Sequence, residues 1–333
     1  MQKVSIVMAT YCGERYVEAQ LSSLLAQTRP ADEVLIFDDC SSDRTAEIVS
    51  DFISKNGLAH WRFRVNEKNL GFIENFRSLL QAATGDILFL CDQDDVWYPD
   101  KLERMLDVFA GHPDAMSVNG GFDFIDGEGR QVLSVTAEGH SNHDLIFRPI
   151  EPDAAVPLSY AEVLRGNASP GCTMAVRREL RDYYLAHTTG LIPHDWELNI
   201  FAGEIGKAYF YNRAVIGYRI HGGNVIGLKI GDGKTHLTTG VDEDRRLKIF
   251  RDQEKLLRFY KTQISSDDAE VQTYIRHFES YLRLREKCLV RHNPFAFFGF
   301  LAHYRHLRPN IPVRSLFGDL VYALRIQKFF ERT

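Results

Sequence analysis

An open, mostly parallel α/β sheet with a helical region appended after it is the fold class this sequence predicts. Three observations carry that reading. Apolar, β-branched runs alternate with stretches of helical period four times in the first ninety or so residues. The polar clusters Thr10-Tyr11, Asp38-Asp39 and Asp92 to Asp95 each fall just after such a run. In open parallel sheets, ligands sit outside the carboxyl ends of the strands. From Val241 onward the strand signals stop and charged, amphipathic helical patterns take over.

The elements follow in order. Val4 to Ala9 reads as a first buried strand, and Thr10 to Gly13 as the turn after it. Glu14 to Gln27 places Val17, Leu21, Leu24 and Leu25 on one helical face. Val34 to Phe37 is a second strand closed by Asp38 and Asp39; Ser41-Ser42-Asp43 offers a cap for a helix over Thr45 to Ser54. Trp61 to Val65 is a third strand, Asn69-Leu70-Gly71 a loop, Ile73 to Ala83 a helix and Asp86 to Cys91 a fourth strand. Lys101 to Ala110 continues as helix. Ala115 to Phe124 and Gln131 to Val135, joined by Asp126-Gly127-Glu128-Gly129, predict a β-hairpin. Residues 137–159 read as a surface loop. Tyr160 to Leu164 is a short helix, Asn167 to Thr173 a Pro-Gly turn and Met174 to Val176 a short strand. Arg178 to His187 and Trp196 to Ala202 are helical, the second opened by His194-Asp195, and Ala208 to Ile220 is extended. Glycines crowd residues 222–240. The expected organisation is therefore a catalytic region over residues 1–225, a Gly-rich linker or loop over 226–240 and a helical region over 241–333. Its later helices fall near 267–290, 295–306 and 313–331.

Composition narrows the function. The chain has 333 residues, 44% hydrophobic and 26% charged, which is ordinary for a globular protein. A net charge of −5 argues against a nucleic-acid partner. Five scattered cysteines without a C-x-x-C pair suit reduced thiols and small buried hydrophobes better than a disulfide framework. Met1-Gln2-Lys3 runs straight into a core strand, and no apolar run approaches a membrane-spanning length, so a cytoplasmic location is expected.

The most informative stretch is Leu88 to Trp97. A buried strand ends in Asp92, Asp94 and Asp95, three carboxylates within four positions. They repel one another unless a positive charge lies among them. A hard divalent cation, Mg²⁺ or Mn²⁺, is the simplest such charge, and it would share its ligand positions with substrate phosphates. The alternative is an acidic turn capping the helix that begins near Pro99.

With these residues in hand, the chain resembles the family 2 glycosyltransferases of the GT-A fold. The resemblance rests on Val4 to Tyr11, the Asp38-Asp39-x-Ser41-x-Asp43-x-Thr45 stretch, Asn69-x-Gly71 and Asp92-x-Asp94-Asp95, which occur in the family's order and spacing. Asp92 to Trp97, with His194-Asp195-Trp196 and Tyr218-Arg219-x-His221, is most similar to the bacterial rhamnosyltransferase-like branch. The resemblance covers roughly residues 3–225 and leaves the helical remainder unexplained.

It implies a set of roles. Thr10, Tyr11 and Asp39 would hold the base and ribose of a nucleotide, with Glu14 and Asn69 in the same nucleotide-binding set. Asp92 would lie near the ribose, and Asp94 would bind the metal bridging the diphosphate. The nucleotide-touching arginine that many relatives carry after the Asn-x-Gly loop has no clear counterpart among Asn75, Phe76 and Arg77. Asp195 matches the catalytic base, and would otherwise be a cap for its helix. His221 could reach the metal or the diphosphate through a neutral nitrogen, or pair with backbone in its loop. His194 would orient Asp195 or shape the pocket. Asn167 to Thr173 could line the acceptor side or be a plain turn. Trp97 could stack on a sugar, although an aromatic after a buried strand more often belongs to the core.

The function so implied is an inverting, metal-dependent sugar transfer. The donor would be dTDP-rhamnose or a UDP-sugar. The acceptor would be a growing bacterial surface polysaccharide or another saccharide, free or lipid-linked. Two other readings compete. A sugar-1-phosphate nucleotidyltransferase would carry a glycine-rich basic loop after strand one, where Tyr11 to Tyr16 has one glycine and one arginine. A non-catalytic nucleotide-sugar binder would lack the base that Asp195 offers. The tail adds a partner hypothesis. Residues 291–333 hold seven Lys/Arg against two acids, interleaved with Phe295, Phe297, Phe298, Phe300, Phe317, Phe329 and Phe330. Such a segment could lie on an anionic membrane surface. The same phenylalanines could instead form the core of a helical subdomain or a homodimer interface.

Overall fold

The structure is a computed structural model that describes residues 2–221, 243–307, 319–320 and 322–324. The chain divides into two compact units, Met1–Ile230 and Gly231–Thr333.

The first unit alternates strand and helix as expected. β1 (Val4–Thr10), α1 (Val17–Leu25), β2 (Glu33–Asp38), α2 (Thr45–Lys55), β3 (Trp61–Val65), α3 (Phe72–Ala82) and β4 (Ile87–Cys91) follow in order. Then come β5 (Val96–Trp97), α4 (Lys101–Gly111), β6 (Ala115–Ile125), β7 (Gln131–Val132), β8 (Ala155–Pro157) and α5 (Tyr160–Arg165). β9 (Met174–Arg177), α6 (Arg178–His187), α7 (His194–Ile205) and β10 (Lys207–Arg219) complete it. One sheet runs through the unit in the order β3-β2-β1-β4-β9-β6-β10-β5, with β7 on β6 and β8 on β10. β1 to β4 pair in parallel, β9 runs antiparallel between β4 and β6, and β6 is parallel to β10.

Burial explains this arrangement. β1, β2 and β4 are apolar on both faces and almost wholly buried, as a sheet covered by helices on both sides requires. Val4, Ile6 and Met8 of β1 meet Val17, Leu21 and Leu24 of α1 in the main core, while Leu79 and Leu80 of α3 are buried as well. Because β1, β2 and β4 are parallel, their carboxyl ends lie along one edge. Tyr11, Asp39 and Asp92 each stand one residue past a strand end on that edge.

Several expectations are corrected. The hairpin after α4 forms, but its second strand is only Gln131–Val132. Residues 137–159 are not loop throughout, since Ala155–Pro157 pairs with Tyr209 to Tyr211 of β10. α2 begins at Thr45 with Arg44 at the cap position; Asp43, a residue earlier, accepts from the Thr45 amide and hydroxyl. Trp97 belongs to β5 and is buried, so it is core. Cys91, Cys172 and Cys288 are buried free thiols, but Cys12 and Cys40 are exposed in the turns that leave β1 and β2, with φ of 47° and 65°.

The second unit contains α8 (Glu243–Gln263), α9 (Ala269–Leu289) and α10 (Ala296–Leu307). Phe259, Tyr260, Tyr274, Phe278, Tyr281 and Phe300 form an aromatic core between them. Arg285 is buried and pairs with Asp319, also fully buried, at 2.7 Å. Asp268 caps α9 by accepting from the amides of Glu270 and Val271. The glycine-rich segment and most of the helix predicted near 313–331 lie outside the described residues.

Candidate active site

The site grows from the turns at the carboxyl edge of the sheet. After β1, the amide and carbonyl of Tyr11 are both taken by the Gln93 side chain, at 2.7 and 2.8 Å. This two-point clamp leaves the Tyr11 side chain half exposed at the rim. Gly13 makes the clamp sterically feasible, since a Cβ there would lie 2.2 Å from Gln93 Oε1. Thr10 is buried and donates its hydroxyl to Asp38 Oδ1 at 2.8 Å, which braces the two strand ends. Exposed Glu14 accepts from the Arg44 amide at 3.0 Å and so ties the first turn to the start of α2.

Asp39 is buried, and its carboxylate organises the loop before α3. It accepts from the amides of Leu70 and Gly71, both at 2.8 Å, and from Asn66 Nδ2 at 3.0 Å. Asn69 Nδ2 reaches the Asp39 carbonyl at 3.2 Å. Hydrogen bonds to a charged group contribute about 1.5–3 kcal/mol each, so this set fixes the loop firmly. Gly71, at φ 79°, turns the chain into the helix. Asn75 is buried and braces Phe37 and Asn66, while Arg77 pairs with Glu74 at 3.4 Å.

The acidic stretch after β4 spreads into two groups. Asp92, Asp95 and the Cys172 thiol offer ligand atoms within 4.8 Å of one another. Asp94 faces His221, with Nε2 and Oδ2 2.8 Å apart. That spacing suits two neighbouring ligands of one ion as well as a shared proton. Arg219, at the end of β10, ties the groups together. Its amide donates to Asp95 Oδ1 at 2.9 Å and its Nε to the Asp94 carbonyl at 2.7 Å. Its guanidinium lies 4.7 Å from the centre of the Tyr16 ring, and His221 packs 4.9 Å from the same ring.

Electrostatics at this cluster is unbalanced. Burial, followed by the charges of Asp95, Asp94 and Asp195, pushes the Asp92 carboxyl well above the usual range. Burial and Asp94 push Asp95 up to about 7. Asp95 Oδ2 is buried without a hydrogen bond. Two buried cations lie at the cluster, Arg219 with the bonds just described and Lys101. Lys101 is fully buried, donates to the Cys172 carbonyl at 2.6 Å and sits 3.5 Å over the Trp97 ring. Burial lowers its pKa to about 8, opposed by Cys172, Cys91, Asp95 and Asp92. The upward push on Asp92 and Asp95 is that of carboxylates short of compensating positive charge, and the orphaned Asp95 oxygen is an open acceptor. Two carboxylates and a thiol in one group, with the Asp94–His221 pair adjoining, offer oxygen, sulfur and imidazole donors of the kinds divalent cations take.

Asp195 lies in the first turn of α7, and the cap position is Pro193. The helix-cap alternative for Asp195 thus gives way. Its Oδ2 accepts from Asn167 Nδ2 at 2.8 Å. Behind Asn167 stands a buried polar chain. Asn199 Nδ2 reaches Asn167 Oδ1 at 3.3 Å, Asn199 and Asn119 exchange bonds of 2.9 and 3.0 Å, and Ser117 donates to Asn199 Oδ1 at 2.9 Å. Gly171 flanks the carboxylate so closely that a Cβ would lie 2.9–3.1 Å from its atoms. Part of the Asn167 to Thr173 turn therefore faces Asp195. His194 points elsewhere: it is buried, stacks 4.1 Å from Phe76 and leaves Nδ1 unpartnered. Burial lowers its pKa, opposed by Asp195, so a neutral ring walls the pocket.

The charge of Asp195 acts on Asp92, and His221 meets Asp94. Thr10, Glu14, Asp39 and Asn69 instead serve the neighbouring turns. Gln93, Asn119, Asn199, Lys101 and Tyr16 went unnoticed in the sequence. Only Gln93 carried a signal there, as the residue enclosed by the Asp92-x-Asp94 spacing.

The fold is that of the GT-A glycosyltransferases. More narrowly, residues 5–156 match the family model of Glycosyl transferase family 2. An uncharacterised glycosyltransferase of Nostoc sp. is 28% identical over 67% of this chain and 66% of its own length. The dTDP-rhamnosyl transferase RfbG of Shigella flexneri is 26% identical over 67% of this chain and 74% of its own. Among solved structures, residues 1–349 of S. aureus TarS align over 99% of this chain and 92% of that one, with TM-score 0.57 and 17% identity. The Pyrobaculum calidifontis mannosyltransferase PcManGT, solved with GDP-Man and Mn²⁺, aligns over 98% and 87%, with TM-score 0.58 and 16% identity. At such identities the structural likeness speaks for the fold.

Proposed function

We propose that the chain is an inverting, metal-dependent glycosyltransferase. It would move rhamnose or a hexose from dTDP-rhamnose or a UDP-sugar to a growing bacterial surface polysaccharide or a lipid-linked oligosaccharide. The observation that supports this reading is the cluster of Asp92, Asp95 and Cys172 past the end of β4, with the Asp94–His221 pair adjoining and Asp195 close enough for its charge to act on Asp92. The curated dTDP-rhamnosyl transferase among the relatives supports the rhamnose choice.

An inverting transfer is one in-line displacement, which needs a base for the acceptor hydroxyl and alignment of two substrates. Asp195 would take the hydroxyl proton. Asn167 occupies Oδ2, which leaves Oδ1 to face the acceptor. The Gln93 clamp would hold the Tyr11 rim against the base of the nucleotide, and the Asp39-braced loop with Asn69 would close beside the ribose. Asp92 would approach the ribose. Mn²⁺ or Mg²⁺, held by Asp94 and His221 with Asp95 adjoining, would supply positive charge to the leaving diphosphate. The C-terminal unit would bring the chain to the inner face of the cytoplasmic membrane, where a lipid-linked acceptor is presented.

Calorimetric titration with dTDP and with UDP, each with and without Mn²⁺, tests this reading. Metal-dependent binding of dTDP is expected. A preference for UDP would shift the donor to a hexose or its amino derivative. Folded protein that binds neither nucleotide would sink the proposal and leave the acidic turn as a structural feature.

A further inference from the structure

The phenylalanines of the C-terminal unit are sorted by the fold. Phe297 and Phe300 of α10 point inward, 8% and 1% exposed. Phe295 and Phe298 point outward, 77% and 65% exposed, and Val290 at the end of α9 is 55% exposed. All three belong to the corner where α9 turns into α10. Asn293 fixes that corner by accepting from the Phe295 amide at 3.0 Å. Leading up to it along α9, Arg276, Arg283 and Lys287 are exposed, at spacings of seven and four that keep them on one face, and exposed Arg291 follows just past the helix end. Two carboxylates accompany them. Glu279 is shared between Arg283 and Lys261, both at 2.6 Å, and Glu286 pairs with Arg291 at 3.1 Å. The face therefore keeps an excess of positive charge beside its apolar tip.

We propose that this corner docks on an anionic lipid bilayer, with Phe295, Phe298 and Val290 entering the acyl boundary and Arg283, Lys287 and Arg291 lying among the headgroups. The proposal sharpens the membrane role given above to named residues and a lipid chemistry. A narrow apolar tip ringed by cations fits an interface whose surface is negative and whose interior is apolar. A second copy of the chain fits less well. A two-fold contact would set this basic stripe against itself, and a stable dimer needs about 800 Å² per partner rather than a tip. Among the described residues no helix is long and apolar enough to cross a membrane, so the corner would rest on the surface.

The test uses the full chain and sedimentation with vesicles of phosphatidylcholine, alone or with about 30% phosphatidylglycerol. Binding is expected only with the anionic lipid and should weaken as salt rises. Phe295→Ser with Phe298→Ser should lower partitioning at least about tenfold, with circular dichroism and nucleotide binding unchanged. Lys287→Glu with Arg291→Glu should lower it by a similar factor. Wild-type protein that ignores anionic vesicles would overturn both this proposal and the membrane role. Binding that survives the phenylalanine pair would overturn only the corner. A dimer in light scattering that Phe298→Ser dissolves would assign the face to a second copy and overturn the lipid assignment.

Discussion

At the scale of the residue, Asp195 is held by one donor and one close wall. Asn167 donates to Oδ2, and Gly171 leaves no room for a methyl group. Asn167→Ala removes a bond to a charged group, worth about 1.5–3 kcal/mol, so kcat should fall by about tenfold or more. Gly171→Ala should lower kcat by pushing the carboxylate aside while leaving KM for the donor unchanged. Steady-state kinetics checks both. Unchanged kcat in both variants would remove Asp195 from the chemistry. The sequence could point to Asp195, because an acidic residue opening a helix at that spacing is a local pattern. Asn119 and Asn199 carry no such pattern: a buried asparagine reads like any polar position until the fold shows what it touches.

At the scale of the element, the edge of the sheet depends on how its opposite end is anchored. Glu33, at the start of β2, is buried and accepts from the Ser5 hydroxyl at 2.6 Å, the Thr84 amide at 2.9 Å and Arg62 at 2.6 Å. It thereby joins β2, β1 and the entry to β4. Burial pushes its carboxyl up, but the bonds from Ser5 and Thr84 and the Arg62 charge outweigh it and hold the group below its ordinary value. A depressed folded pKa contributes stability that is present above the unfolded value near 4.3. That stability is lost as pH falls through the folded value. Glu33→Gln should therefore lower the melting temperature at neutral pH and flatten its decline in acid. Thermal unfolding between neutral pH and about pH 3 reads this directly, and parallel curves for wild type and variant would refute it. The long strands were legible because each is a continuous apolar run closed by polar residues. β8 was not: three residues at a sheet edge gain strand character only from distant β10. The phenylalanines after Asn293 were equally unreadable, since sorting Phe295 and Phe298 from Phe297 and Phe300 requires knowing where α9 lies.

At the scale of the whole molecule, the division into two compact units would, on the proposed roles, separate nucleotide chemistry from docking. The main hydrophobic core runs from Val4 to Tyr218 and draws every member from the first unit. Each residue assigned here to nucleotide, metal or base also lies before Gly231. The sequence marks a change of pattern at Val241, because strand alternation and charged helical stripes differ in period, whereas the compact units divide after Ile230. The packing of Arg285 against Asp319 was out of its reach, since the two are brought together only by folding. A chain ending at Ile230 should thus fold with a cooperative melt and bind dTDP or UDP with Mn²⁺ as the full chain does. It should fail to sediment with anionic vesicles and lose transfer to a lipid-linked acceptor, while transfer to a soluble acceptor persists. Loss of nucleotide binding in a folded fragment would show that the second unit completes the donor site, and the separation of roles would fall. Retained vesicle binding would place the membrane contact in the first unit, against the corner formed by Val290, Phe295 and Phe298.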